Sequence, residues 1–192
     1  MKNIILASKS PRRIEMLERY CKDLKIFSPD TSEVINENDS PQTTVMKLAF
    51  EKCFDAYKYC DDKGIIIAAD TIVYLNKIMG KPENEEDAYN MLKSLSGNTH
   101  SVYTGICIID NENLIKAADY EKTSVEFNEL SDDLIKSYLK TGEYADKAGG
   151  YGIQGYGELL VKRIDGCYNN VKGLPLTKLN NLLTKHFSHK LL

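Results

Sequence analysis

Tryptophan is absent from this 192-residue chain, and histidine (three), proline, cysteine, methionine and phenylalanine (five each) are sparse. The few cysteines and histidines, and the lack of long apolar runs, exclude whole classes of function. No apolar run approaches the roughly 18 residues that a membrane-spanning helix needs. The apolar part of Lys2-Asn3-Ile4-Ile5-Leu6-Ala7 is too short for a signal peptide and reads as a first strand, so a cytoplasmic protein is expected. Cys21, Cys53, Cys60, Cys107 and Cys167 form no CxxC pair and no zinc-type spacing. An odd, scattered set without a secretion signal fits reduced, mostly buried thiols, and none is assigned to catalysis. His100, His186 and His189 show no ligand grouping, and the last two fall in a C-terminal tail expected to be solvated. A His/Cys transition-metal site is therefore not expected, while a cation held by oxygen stays open. No Pro/Ser linker, internal repeat or low-complexity tract divides the chain. Excess positive charge is missing too: the formal net charge of −3 gives no global signal for nucleic acid.

What is present is a soluble composition, 42% hydrophobic and 28% charged, in a length that allows one domain or two small lobes. The charge is unevenly placed. Residues 1–25 carry seven basic side chains against three acidic, whereas residues 26–40 carry Asp30, Glu33, Glu37 and Asp39 and no base. A basic element followed by an acidic one suits a metal–phosphate ligand better than a bare polyanion. A solvated charged surface is the plainer reading.

The chain is organised around Ile65-Ile66-Ile67-Ala68-Ala69-Asp70-Thr71. A short apolar run of this kind reads as a strand buried on both faces. It ends in an acid, at the carboxyl end of a central strand, where α/β sheets place their ligand crevices. Asp70 either only turns the chain or does chemistry, and the stretch alone leaves both open. Before it, residues 3–6 form a strand, and Ser10-Pro11 reads as N-cap and first helical position, with Ile14, Leu17 and Cys21 facing inward. Arg12 and Arg13 fall in that helix's first turn, where the dipole favours acids. Two guanidiniums beside free backbone N–H groups suit phosphate oxygens; taken singly, they read as exposed arginines over the surface. Leu24 to Phe27 is a second strand, and Ser40-Pro41 opens a helix to about Cys60 along Val45, Leu48, Ala49, Cys53 and Ala56. Lys52 stands at the edge of that stripe, where a lysine ordinarily covers apolar surface with its stem.

After the central strand, residues 76–82 read as a turn and a short returning strand. Asn84 caps a helix with Glu85, Glu86 and Asp87 in its first turn and Gly97 past its end. His100–Ile109 and residues 116–128 read as strands, Ser131 caps a further helix, Leu159–Ile164 reads as a strand, and Pro175 starts a last helix. Residues 146–157 hold five glycines, which let backbone approach a ligand closely, but without the spacing of a phosphate loop or dinucleotide fingerprint. Collected at element ends are Ser8, Arg12, Arg13, Glu33, Lys52, Asp70, Lys81, Asp146, Lys147 and Gln154. Cations that neutralise phosphate oxygens, with carboxylates that hold a hard divalent ion or take a proton from water, are what polyphosphate cleavage needs.

Leu6-Ala7-Ser8-Lys9-Ser10-Pro11-Arg12-Arg13 closely resembles the opening signature of the Maf family of nucleoside triphosphate pyrophosphatases. Residues 68–73 with Gly80-Lys81-Pro82 resemble the same family, Leu95-Ser96-Gly97 with His100, Val102, Thr104 and Gly105 its middle block, and residues 146–149, 151–155 and 173–175 its closing blocks. The resemblance runs in order along essentially the whole chain. Cys53 after Lys52 and Lys172 before Gly173 are minor departures. It implies one Maf-like domain over 1–192, α/β, with a long curved mixed sheet flanked by helices and two lobes with a cleft. It implies hydrolysis between the α- and β-phosphates, to a nucleoside monophosphate and pyrophosphate, with a divalent cation, Mg²⁺ or Mn²⁺. Asp70 then resembles the family's proton acceptor or metal ligand, Glu33 its partner at metal or water, and Ser8, Arg12, Arg13, Lys52 and Lys81 the triphosphate clamp. Arg12, Thr71 and Gln154 resemble the specificity set of the branch that cleaves dTTP and UTP, including modified pyrimidine nucleotides. Gln154 offers the donor and acceptor that a pyrimidine 4-oxo/N3–H edge can use. A homodimer in the cytoplasm is implied, with no membrane or nucleic-acid partner. The competing readings are a pyrophosphatase for non-standard purine nucleotides and a non-catalytic nucleotide-binding regulator of cell division, which would have no need of Asp70.

Overall fold

β-Branched and small side chains make two strands, β1 (Ile4–Ala7) and β3 (Ile65–Leu75), that are buried on both faces as far as Asp70. They pair in parallel, Ile4 with Ile65 and Leu6 with Ile67, and β1 also runs parallel to β2 (Lys25–Phe27). The computed structural model in which they are seen describes residues 2–36 and 38–192, so Met1 and Glu37 lie outside the described residues. A turn at Asn76, in the left-handed region at φ 58°, folds β4 (Lys77–Met79) antiparallel onto β3. β5 (Thr99–Asp110), β6 (Lys116–Phe127) and β7 (Val161–Asp165) follow, the last antiparallel to β6 with a register shift at Glu126/Phe127. The strand order is β2-β1-β3-β5-β6-β7, with β4 added beside β3, a mixed α/β sheet as expected.

Six α-helices accompany the sheet among the described residues: α1 (Pro11–Glu18), α2 (Pro41–Tyr59), α3 (Glu85–Leu95), α4 (Asp132–Leu139), α5 (Tyr168–Lys172) and α6 (Leu176–Phe187). Ser40, Asn84 and Ser131 cap α2, α3 and α4 with their side chains, as their residue types predict. Ser10 precedes α1 without capping it; its own N–H instead donates to Ser8 Oγ at 3.1 Å. Four points depart from the sequence reading. β3 does not end at Asp70 but runs on to Leu75, with Ile72 and Val73 buried beyond it. α5 was not foreseen. The chain ahead of β7 is a 3₁₀ turn over Gly155–Leu160 rather than strand. His189 is buried, its backbone N–H donating to Leu183 O at 3.3 Å, while His186 is solvated.

The chain separates into two compact units. The first comprises Met1–Asp70, Thr104–Glu121 and Gly173–Leu192. The period of two along its strands sorts them onto two cores. Ile4, Leu6, Ile65, Ile67 and Ala69 pack with Met16 and Leu17 of α1 and Leu179 and Leu183 of α6. Ile5, Ala7, Ile66 and Ala68 pack with Ala49, Cys53 and Ala56 of α2. The second unit, Thr71–Tyr103 with Lys122–Lys172, has its own core, built from Val73, Leu92, Val102, Phe127, Ile135 and Tyr151 among others.

Candidate active site

Ile66 and Ala68 face α2, so Asp70, two residues further along β3, belongs to the same face by strand periodicity. Lys52 lies three residues after Ala49 and four before Ala56, on the helical stripe that meets that face. The two side chains therefore converge. Lys52 Nζ hydrogen-bonds Asp70 Oδ1 in a short contact and donates to Glu33 Oε1 at 2.8 Å. The Lys52 and Asp70 side chains are only 11% and 8% exposed, against 37% for Glu33. Lys52 is thus no stem lying over apolar surface, as its position suggested. Its ammonium is carried inward to join two carboxylates, and at this burial neither Lys52 nor Asp70 could stay charged cheaply without the other.

Arg13 backs this group. Its Nε donates to Gly173 O at 2.7 Å and its Nη1 to Ala69 O at 2.8 Å, the carbonyl just before Asp70. Burial pulls the guanidinium below its ordinary value, Asp70 and Glu33 hold it up, and Arg12 works against it, so Arg12, Arg13, Glu33 and Asp70 share one field. Two of the five Arg13 donors are engaged by main-chain carbonyls. Ser8 follows β1, is buried, ties the chain to β2 through its N–H to Phe27 O at 3.0 Å, and accepts the Ser10 N–H on Oγ. Of the predicted residues, the first unit brings together Glu33, Lys52, Asp70 and Arg13, with Arg12 in the same field. Cys53, beside Lys52, is buried, and burial followed by Cys107 pushes its thiol up, which fits the inert thiols expected.

In the second unit, Thr71 and Val73 share a face of β3. Gly149 lies against Val73: a Cβ there would come within 2.8 Å of its Cγ2, and φ is +68°. Its N–H donates to Gly80 O at 2.9 Å, which ties the turn bearing Lys81 to the glycine-rich segment bearing Gln154. Lys81 is exposed, Thr71 and Gln154 half-buried. Lys147 is directed elsewhere: Nζ donates to Asp146 Oδ1 at 2.8 Å and makes a short bond to Glu143 O.

The donor chemistry for a cation is hard oxygen. Among the described residues, no three His, Cys, Asp or Glu side chains gather into a metal cage. Mg²⁺ ordinarily takes one or two carboxylates and completes its shell with water and substrate phosphate, so Glu33 and Asp70, drawn to one ammonium, fit it. Sequence reasoning gave no role to the Ala69 and Gly173 carbonyls, and a backbone acceptor leaves no mark in the residue types. It also missed the buried pair His100–Tyr151 in the second unit, Nε2 to OH 2.7 Å, for which His100 and Tyr151 inside the motif blocks were the only signal.

Among the described residues, no helix is long and apolar enough to cross a membrane. The family described as "Maf-like protein" matches residues 3–186. A dTTP/UTP pyrophosphatase of Pyrococcus furiosus is 52% identical over 193 residues, covering 100% of this chain and 98% of its own. One of Ruminiclostridium cellulolyticum is 47% identical over 187 residues, covering 96% of both chains. Among solved structures, the Ham1 protein of Staphylococcus aureus is similar at a TM-score of 0.48 and 18% identity, over 81% of this chain and 78% of that one.

Proposed function

The chain belongs to the Maf-like protein family, and from that premise we propose that it hydrolyses dTTP and UTP, with their modified pyrimidine relatives, to the nucleoside monophosphate and pyrophosphate. The observation that carries the chemistry is the Lys52 ammonium between Glu33 and Asp70, midway along the central strand. A non-catalytic binding protein has no use for a buried carboxylate fixed this way, since burying it costs stability.

In the reaction, Asp70 accepts a proton from the attacking water as the new O–P bond forms, and the α–β bridging oxygen departs with pyrophosphate. Lys52 holds the Asp70 carboxylate in place and offsets charge on the phosphates. Glu33 and Asp70 are the residues that would hold a divalent cation, Mg²⁺ or Mn²⁺. Bound there, the cation would neutralise phosphate oxygens as negative charge shifts to the leaving group. Ser8, Arg12, Arg13, Lys52 and Lys81 are assigned to triphosphate oxygens. Thr71 and Gln154, with Arg12, are assigned to base selection. Residues 1–192 act as one pyrophosphatase domain, in the cytoplasm, as a homodimer, and without a nucleic-acid partner.

The test is pyrophosphate release from dTTP, UTP, CTP, ITP and 7-methyl-GTP with Mg²⁺ or Mn²⁺, for wild type and Asp70→Asn. The expected result is cleavage of dTTP and UTP, collapse in the variant, and loss on EDTA treatment reversed by either metal. Preferred cleavage of ITP or 7-methyl-GTP would overturn the substrate assignment, and nucleotide binding with no turnover would overturn the enzyme.

A further inference from the structure

Gln154 can read a pyrimidine only if its amide is held one way round. A side-chain amide carries a donor and an acceptor, and rotating it by half a turn exchanges them. One orientation meets the 4-oxo/N3–H edge of uracil or thymine; the other meets the 4-amino/N3 edge of cytosine. The flip itself turns on the last side-chain torsion; what the backbone sets is how squarely the amide meets the base edge, and so how far a matched pair outweighs a mismatched one.

The second unit fixes that backbone closely. A Cβ on Gly157 would lie 2.1 Å from Gly152 O, so residues 152–157 close into a tight loop with Gln154 inside it. Gly155, at φ +68°, lies against the Glu143 carboxylate, which accepts the Tyr156 N–H on Oε1 at 3.4 Å. On the other side the Gly152 N–H donates to Tyr138 Oη at 3.3 Å. The entrance to the loop is Tyr151, whose hydroxyl meets His100 Nε2 at 2.7 Å in the core. Its ring stands edge-on to both His100 and Phe127, with centroids 5.4 and 4.7 Å away.

Stability does not account for His100. It is buried, 2% exposed, its Nδ1 has no hydrogen-bond partner, and burial lowers its pKa to about 4. A buried imidazole with one nitrogen unsatisfied is a poorer core residue than an aliphatic side chain of the same size. What the histidine supplies that leucine could not is the directed bond to Tyr151.

We propose that His100 and Tyr151 are positioning residues for nucleobase selection, fixing the loop that carries Gln154 so that its amide accepts uracil or thymine and rejects cytosine. This rests on the reading that Gln154 faces the base. Tyr151→Phe removes one hydroxyl and keeps the ring packing. His100→Leu removes the hydroxyl's partner, whereas His100→Gln offers it an amide with both a donor and an acceptor.

The measurement is kcat/KM for UTP and CTP, with urea midpoints, for wild type, Tyr151→Phe, His100→Leu, His100→Gln and Gln154→Ala, and for Tyr151→Phe combined with Gln154→Ala. Tyr151→Phe and His100→Leu are expected to lower the UTP/CTP ratio about tenfold, the equivalent of one hydrogen bond. The kcat for UTP stays within about twofold, and His100→Gln retains the ratio. In the Gln154→Ala background, Tyr151→Phe should leave the ratio unchanged, because its effect passes through that amide. A wild-type ratio that survives Tyr151→Phe overturns the proposal, as does an equal fall for both nucleotides. Wild-type protein that cleaves neither nucleotide, or both alike, overturns the substrate reading and this inference with it, and that failure is visible before any substitution is made.

Discussion

Replacing Lys52 by methionine separates the two carboxylates it joins. The substitution keeps most of the stem and deletes the ammonium that contacts Asp70 Oδ1 and Glu33 Oε1. The two contacts differ in burial: the Asp70 side chain is 8% exposed and Glu33 37%. Removing one partner of a buried ion pair costs about 3–5 kcal/mol, because a charge is left in a poorly solvated place. An ion pair open to water contributes about 0–1 kcal/mol. Lys52→Met should therefore lower the free energy of unfolding by about 3–4 kcal/mol, nearly all of it through Asp70. The assay is a pair of double-mutant cycles in urea at neutral pH, with EDTA present so that no divalent cation takes the place of the ammonium. Coupling of Lys52→Met to Asp70→Asn should be about 2–3 kcal/mol, and coupling to Glu33→Gln below about 1. A loss under 1 kcal/mol for Lys52→Met, or equal couplings to the two acids, would refute the assignment of Asp70 as the buried partner.

Two further outcomes follow from other contacts. Arg13→Lys keeps the charge but cannot span the Ala69 and Gly173 carbonyls with a rigid fork, so it should cost about 1–2 kcal/mol in urea unfolding, roughly one charge-assisted bond at a half-buried site; an unchanged midpoint would deny Arg13 its structural role. His100 has a folded pKa of about 4 against an ordinary 6.5, so between those values the unfolded chain binds the extra proton. Stability is full above pH 6.5 and declines as pH falls towards 4, by up to about 3 kcal/mol. Because burial lowers His189 as well, the measure is the difference between wild type and His100→Leu, and parallel pH profiles would show that His100 is not buried neutral.

Much of the backbone was legible because local rules agree with one another. The run from Ile65 to Ala69 could only be a strand buried on both faces, and caps at Ser40, Asn84 and Ser131 sat ahead of periodic apolar faces. Misses came where local and tertiary signals part. Leu159 and Leu160 look strand-like, but Gly155 at positive φ and the contact of Gly157 with Gly152 bend that stretch into a 3₁₀ turn. Tyr168–Lys172 is too short to show a helical period. His189 follows a helix whose last turn is mostly exposed apart from Phe187, and only the packed structure shows the tail returning to the core.

The site shows the same division more sharply. Asp70 could be singled out from its own neighbours, because an acid following a buried apolar run needs a partner, although the strand itself continues to Leu75. Its partner could not. Lys52 is 18 residues away, and a lysine beside an apolar stripe is usually a solvated one. Arg13 reaches further, 160 residues along the chain to Gly173 O. Its place in the first turn of α1, where the dipole favours acids, points to an acceptor nearby, which phosphate could be. The carbonyl oxygens of Ala69 and Gly173 supply negative partial charge at that spot without any ligand. A misplaced cation therefore signals an acceptor nearby, and only the fold tells whether that acceptor is backbone or substrate.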